Sequence, residues 1–317
     1  MVLAAGLGLR MRPLTLLRAK PVLPVLNRPL LHWTLELLAR HGVRHVIVNL
    51  HHLPRTVTAA VGDGSAFGLE VTYSRERTIL GTGGGPRRVR ELLGDEPFLL
   101  VNGDVVFDFD LTQLVARHRA SGARATLALK PNPDPKRYGP VVTGADGRIL
   151  SLAGRPRRAR GRVSLFTGVQ ILEPALLDRL PRGRPSDTVR DLYAPLVAAG
   201  EPLLGVRVRG AWYDLGSPRA YLESQRALLA AAARGGRGRT LVDPGARLAP
   251  GVRIGASIVG SGAVIGEGAS ILRSVVWDGV RVGRGARIEG AIVAADVRAH
   301  ESVRGRVVVP GKRVTIA

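Results

Sequence analysis

The apolar positions of this chain follow two rhythms, one up to residue 233 and another from residue 240. In the first stretch short apolar runs alternate with helical patterns. Val2–Ala5 predicts a strand running into a glycine-rich loop, and Pro29–His41 places leucines at helical spacing and stops at Gly42. Val43–Leu50, Glu70–Ser74, Phe98–Val101 and Ala125–Lys130 predict further strands, Leu111–Ala120 a helix, and Leu222–Ala233 a closing apolar helix. This alternation predicts an α/β domain over residues 1–233, a mostly parallel sheet with helices on both faces. Sheets of that kind take ligands beyond the carboxyl ends of their strands. The run RGGRGR at 234–239 reads as a linker.

From residue 240 the aliphatics fall at Val242, Leu248, Ile254, Val259, Ile265, Ile271, Val276, Val282, Ile288 and Val293. The spacing of six, six and five repeats three times as a 17-residue period. Glycine often follows, as after Ile254, Ile265 and Val282. Period six with small residues between predicts hexapeptide coils: three short strands per turn, aliphatics pointing into a triangular core. The pattern resembles short left-handed parallel β-helices. Continued by rule, it reaches Ala299 and Gly305, so the stretch after Val293 reads as a degenerate terminal coil ending in VVVPGKRVTI.

Composition narrows the function classes. With 317 residues and 45% hydrophobic content the chain can bury a substantial core in two domains. No apolar run reaches the ~20 residues of a membrane span, and no basic-then-apolar leader is visible. Cysteine is absent, which excludes disulfides, thiolate metal sites and cysteine nucleophiles. A cytoplasmic location without membrane association is the expectation. The formal charge of +22 raises nucleic-acid binding. Lysine occurs only at 20, 130, 136 and 312, and the arginines are scattered. The densest run, Arg155 to Arg162, holds no aromatic residue to stack on bases. No nucleic-acid partner is expected; a polyanionic small substrate and an arginine-biased genome account for the charge.

The opening LAAGLGLRMRPLT carries the chemistry. Gly6 and Gly8 let backbone N–H groups approach a phosphate chain, and Arg10 and Arg12 add charged donors. Lys20 follows in KPVLPVLNRPLL. The loop lacks both the G-K-[ST] of a Walker loop and the third glycine of a dinucleotide fingerprint. Taken with LGTGGG (80–85), VNGDVVFD (101–108), RYGPV (137–141), FTGVQIL (166–172) and AWYDLGSPRAYLES (211–224), in that order, residues 1–225 resemble the sugar-1-phosphate nucleotidyltransferases.

That resemblance implies a Rossmann-like catalytic domain and Mg²⁺ as cofactor. It assigns Arg10, Lys20, Asp104 and Asp214 to catalysis, with Asp104 and Asp214 as the metal carboxylates. It assigns Leu3, Ala5, Gly6, Gly8, Arg10, Gly81 and Thr82 to the nucleotide, and Tyr138, Gly139, Arg155 and Gly168 to the sugar phosphate. Glu173 is a weaker candidate, because Pro174 makes it equally a helix start. His51 and His52 lack a third ligand at metal spacing and read as surface residues. Three departures stand out. Leu9 replaces a threonine, Met11 a leucine, and Arg155 stands where the family has a sugar-phosphate lysine. The chain also starts abruptly before the loop, as though a few upstream residues were missing.

The implied reaction joins a nucleoside triphosphate to a sugar 1-phosphate and releases pyrophosphate. Synthesis of a GDP-sugar from mannose 1-phosphate, for cell-envelope polysaccharide, is the first reading. Uridylyltransferases acting on N-acetylmuramate or hexose 1-phosphate, and heptose-1-phosphate guanylyltransferases, stay open. So does a non-catalytic nucleotide-sugar sensor, although such proteins lose phosphate-loop or metal residues that are kept here. Residues 240–317 are expected to be structural, holding subunits together as a homo-oligomer or packing on the catalytic domain, and deleting them is expected to leave some transfer if the catalytic domain folds alone. Acyl transfer by the β-helix would need a histidine base, and His300 is the only histidine there.

Overall fold

The computed structural model describes residues 1–135, 137–156, 159–234 and 239–316. Most of the expected linker (235–238) and two arginines of the 155–162 run (157 and 158) lie outside the described residues. Two compact units are present: Met1–Gly6 with Trp33–Trp212, and Leu7–His32 with Tyr213–Ala317.

The first unit is built on a nine-stranded mixed sheet. The order along its main path is Ile149–Leu152, Pro140–Thr143, Arg162–Leu172, Phe98–Asn102, Val2–Leu3, His45–Leu50 and Glu70–Arg75. Ala125–Pro131 also pairs with Arg162–Leu172, and Leu203–Arg207 extends it. Val2 sits between Val48 and Val101 in parallel register, and all three valines are fully buried. The chain grows outward from Val2–Leu3 on one side, then lays Phe98–Asn102 parallel on the other. The strand order therefore reverses between Val2–Leu3 and Phe98–Asn102, and the crevice beyond their carboxyl ends is where such a sheet accepts ligand. The Leu111–Ser121 helix starts on Asp110, whose carboxylate accepts from Gln113 N–H at 2.9 Å, and stops at Gly122 with φ +63°.

In the second unit residues 241–309 wind as a parallel β-helix with three faces. Successive coils stack in register, Val242 on Val259, Val276 and Val293 along one face, and Ile254 on Ile271 and Ile288 along another. The inward aliphatics of the middle coils are buried, as the six-residue rule requires. One expectation is corrected. The last coil is shortened, not degenerate: Val282 pairs with Val297, Ile288 with Val303 and Val293 with Val308. Val297, Val303 and Val308 are all buried. The corner after Val293 has lost two residues, so the aliphatics slip ahead of Ala299 and Gly305. Lys312–Thr315 then folds back antiparallel on Arg306–Val309 and ends the stack. His300 is exposed in a left-handed conformation (φ +58°), its ring lying over Gly285.

Candidate active site

In the first unit the backbone at the switch point is tightly organised. Gly103 N–H donates to the Leu3 carbonyl at 2.9 Å, which ties the Asn102–Asp104 turn to the end of the first strand. A Cβ on Gly103 would lie 2.4 Å from that same oxygen, so only glycine fits between them. Ala4 N–H donates to Asn49 Oδ1 at 2.7 Å, Asn49 Nδ2 donates to Glu76 Oε1 at 2.7 Å, and Leu80 N–H donates to Glu76 Oε2 at 2.9 Å. A buried Glu76–Asn49 pair thus links the Ala4–Gly6 loop to the start of the Gly81–Arg88 helix. Ala5 is buried and Gly6 exposed at the rim. Asp104 lies just past the strand end and is half-buried. Replacing Gly103 with alanine is expected to cost about 1–3 kcal/mol in urea unfolding, because the chain must shift to admit the methyl group.

The LGTGGG segment, whose Gly81 and Thr82 are assigned to the nucleotide by resemblance, opens a helix, Gly81–Arg88. Its glycines allow the backbone to press against 184–186: a Cβ would lie 2.6 Å from the Ser186 carbonyl at Gly81 and 2.6 Å from the Arg184 carbonyl at Gly84. The Thr82 hydroxyl donates to Asp187 at 3.0 Å and accepts from Thr188 N–H at 2.9 Å. Its side chain is occupied within the protein, so a nucleotide contact here falls to the backbone.

Of the residues expected on the sugar side, Tyr138 and Gly168 lie near Trp212, which sequence reasoning did not single out although it stands in the quoted AWYDLG string. Tyr138 meets its ring edge-on, centroids 5.5 Å apart, and its Nε1 donates to the Thr167 carbonyl at 2.9 Å. Gly168 follows with φ +82°, where a Cβ would lie 2.7 Å from Asn102 Nδ2. Gly139 packs beside Ala153, in the exposed turn closed by hydrogen bonds between Leu152 and Arg155. Tyr138, Gly139, Arg155, Gly168 and Asn102, two residues before Asp104, are therefore linked through a few residues. Glu173 lies apart from this group and pairs with Arg124 at 3.0 Å. His51 and His52 are half-buried, and His51 Nδ1 lies 3.0 Å from the Glu76 carbonyl. Among the described residues no group of three or more His, Asp or Glu side chains could hold a metal ion.

The second unit carries Gly8, Arg10, Lys20 and Asp214. Gly8 is left-handed (φ +59°), and a Cβ there would meet Thr15 Cγ2 at 2.7 Å. The Gly8 carbonyl accepts from Met11 N–H and from the Thr15 hydroxyl, both at 2.9 Å. Met11 and Leu14 are fully buried and pin this loop, while Arg10 and Arg12 stay exposed. Met11 is buried and Leu9 is exposed. Arg10 and Asp214 converge on Gly216: a Cβ there would lie 2.9 Å from Asp214 Oδ1 and 3.3 Å from Arg10 Nη2. Lys20 is buried, its side chain along the inside of the same segment, where a Gly8 Cβ would lie 3.4 Å from its own Cβ.

The segment continues into a tight hairpin, Pro24–Val25 against Arg28–Pro29, whose turn residues Leu26 and Asn27 are both left-handed (φ +49° and +63°). The Pro24 carbonyl accepts from the Tyr221 hydroxyl and, at 2.7 Å, from Gln225 Nε2; Gln225 Oε1 accepts from Leu26 N–H at 2.8 Å. Burial pushes the Tyr221 hydroxyl well above the ordinary tyrosine range, so it stays protonated as a donor.

Comparison with known proteins adds independent findings. The Nucleotidyl transferase family pattern matches residues 1–231, and the pattern described as "GlmU-like, C-terminal hexapeptide" matches residues 230–316. A UTP–glucose-1-phosphate uridylyltransferase of Synechocystis is 34% identical over 269 residues, covering 80% of this chain and 68% of that protein. A mannose-1-phosphate guanylyltransferase of Mycobacterium tuberculosis is 36% identical over 259 residues, covering 80% and 72%. A crystal structure of a Bacillus anthracis chain described as a glucose-1-phosphate thymidylyltransferase superposes with TM-score 0.60 at 20% identity, covering 72% of this chain and 93% of that one. This last likeness speaks to the fold alone.

Proposed function

The chain belongs to the nucleotidyl transferase family, and from that premise we propose that it makes a GDP-sugar from GTP and mannose 1-phosphate, releasing pyrophosphate. The observation that carries the choice of substrate is the 36% identity to the mycobacterial mannose-1-phosphate guanylyltransferase over 80% of the chain. A pyrophosphate-release screen tests it, with GTP, UTP, dTTP and ATP against mannose, glucose, N-acetylmuramate and heptose 1-phosphates in Mg²⁺. The highest kcat/KM is expected for GTP with mannose 1-phosphate. A preference for UTP with a hexose or N-acetylmuramate 1-phosphate would replace this reading with the uridylyltransferase one.

In the proposed reaction a phosphate oxygen of the sugar 1-phosphate attacks the α-phosphorus in line. One P–O bond forms as the bond to the β-phosphate breaks, and pyrophosphate carries away the electron pair. The nucleophile is already an anion, so positioning and charge neutralisation supply the catalysis. The exposed Arg10 is assigned to the triphosphate and the buried Lys20 to the reacting phosphates. The backbone at Leu3, Ala5, Gly6, Gly8, Gly81 and Thr82 is assigned to nucleotide, and Tyr138, Gly139, Arg155 and Gly168 to the sugar phosphate. Asp104 and Asp214 would hold Mg²⁺. Two half-buried carboxylates suit a cation that keeps its waters and takes its remaining oxygens from phosphates. When bound, the ion would neutralise phosphate charge. All four charged residues are retained, which favours catalysis over a sensor role. No helix among the described residues is long and apolar enough to cross a membrane. We place the protein in the cytoplasm, with residues 1–233 catalytic and the β-helix joining copies of the chain.

Arg10→Ala is expected to raise KM for GTP about 10- to 100-fold, the worth of one charge-assisted contact, and to leave KM for the sugar phosphate nearly unchanged. The matching probe is Arg155→Lys, expected to move only the sugar-phosphate constant. Initial-rate kinetics with each substrate varied in turn checks both, and the opposite pattern would reverse the assigned orientation.

A further inference from the structure

The segment holding Arg10 and Lys20 is anchored by groups far along the chain, and two of the anchors belong to the β-helix. Arg18 Nη2 donates to Asp278 Oδ2 at 2.6 Å, and its guanidinium lies over the Trp277 ring at 5.1 Å. Asn27 Nδ2 donates to the Val259 carbonyl at 2.8 Å, an oxygen that also accepts from Asp243 N–H within the coil stack. Lys20 lies between these two points in sequence, and the Tyr221–Gln225 clamp on Pro24 lies between Lys20 and Asn27. A left-handed Leu26 is an unfavourable conformation for a side chain of that type, so the turn depends on what grips it. Val22 and Pro24 line, together with Val276 and Trp277, a cleft of about 270 Å³.

We propose that the β-helix is a positioning part of the transfer reaction: Asp278, Trp277 and the Val259 carbonyl set the 7–32 segment so that Lys20 and Arg10 meet the phosphates. The proposal rests on the nucleotidyl-transfer reading of the site. These anchors act on the loop more than on the fold. Arg18 and Asp278 keep 34% and 44% of their side-chain surface exposed, and pairs so exposed add little to global stability. What they select is one arrangement of a segment that holds a strained turn.

The test uses the full-length protein with Asp278→Ala, Asn27→Ala, the double variant, and the charge exchange Arg18→Asp with Asp278→Arg. Kinetics and hydrogen exchange are read together. Asp278→Ala is expected to lower kcat about fivefold and the double variant about thirtyfold. Amides of residues 8–23 should exchange about tenfold faster, while those of the coils and the thermal midpoint stay unchanged. Arg18→Asp alone should match Asp278→Ala, and the charge exchange should restore at least half of the wild-type kcat. Wild-type kcat in the double variant would overturn the proposal, as would faster exchange spread through the coils. If the wild-type protein transferred no nucleotide, the functional reading would fall. The exchange comparison would still decide whether the β-helix seats the loop.

Discussion

Replacing Asp104 with asparagine is expected to lower kcat about a thousandfold while the thermal midpoint stays within a few degrees of wild type. The turn that carries Asp104 is fixed by backbone, through Gly103 N–H on the Leu3 carbonyl and the close packing of Gly103 on that oxygen. Asparagine keeps the shape of the side chain, so the turn and the sheet have no reason to move. Only the charge is lost, at the carboxyl end of a strand beside the switch point, where the proposed reaction would need phosphate and metal charge balanced. Asp214→Asn is expected to act alike with one difference. Arg10 shares the space around Gly216 with Asp214, so neutralising the carboxylate also changes the charge near the guanidinium and should raise KM for the triphosphate. Single-turnover rates at saturating Mg²⁺, with circular dichroism as the folding control, check both variants. Near-wild-type, Mg²⁺-dependent turnover in a folded Asp104→Asn protein would strike that residue from the assignment.

The strands at the centre of the first unit were legible because each is an apolar run buried on both faces, and Val2, Val48 and Val101 leave no other reading. The Gly81–Arg88 helix was not, since four glycines and Pro86 have poor helix propensity. Tertiary packing overrides propensity there: the helix exists where backbone must approach Arg184 and Ser186 closely. The coil positions were legible until the corner after Val293. A fixed six-residue step cannot foresee a two-residue loss, although the burial of Val297, Val303 and Val308 shows the same rule continuing in a new register. Glu76 and Asn49 gave no signal at all, because polar residues at strand ends usually face water. Their role follows only from the pairing of two strand ends. Arg10 and Asp214, far apart in sequence, could be tied together only by resemblance to a family. The Arg18–Asp278 pair had no motif to announce it.

Truncation after residue 233 is expected to lower turnover at least a hundredfold. On sequence grounds the boundary falls at 234–239, and residues 1–233 should keep some transfer if they fold alone. The compact units divide the chain differently, because Leu7–His32 clusters with Tyr213–Ala317. Removing residues 240–317 takes away Asp278, Trp277 and the Val259 carbonyl together, and it uncovers Val22 and Pro24 on the cleft they line with Val276 and Trp277. The remaining Tyr221 and Gln225 grip the hairpin end at Pro24 and Leu26, and the 7–32 segment loses its two polar anchors on the β-helix. The effect should exceed that of the Asp278→Ala, Asn27→Ala double variant, because apolar packing is lost along with the polar anchors. Steady-state kinetics on the truncated and full-length chains, each sized by light scattering, separates the alternatives. If the truncated chain stayed folded and kept more than about a tenth of kcat, the β-helix would be an association module alone. Lost turnover with residues 33–212 still folded, by hydrogen exchange, is the result that a seat for the phosphate loop requires.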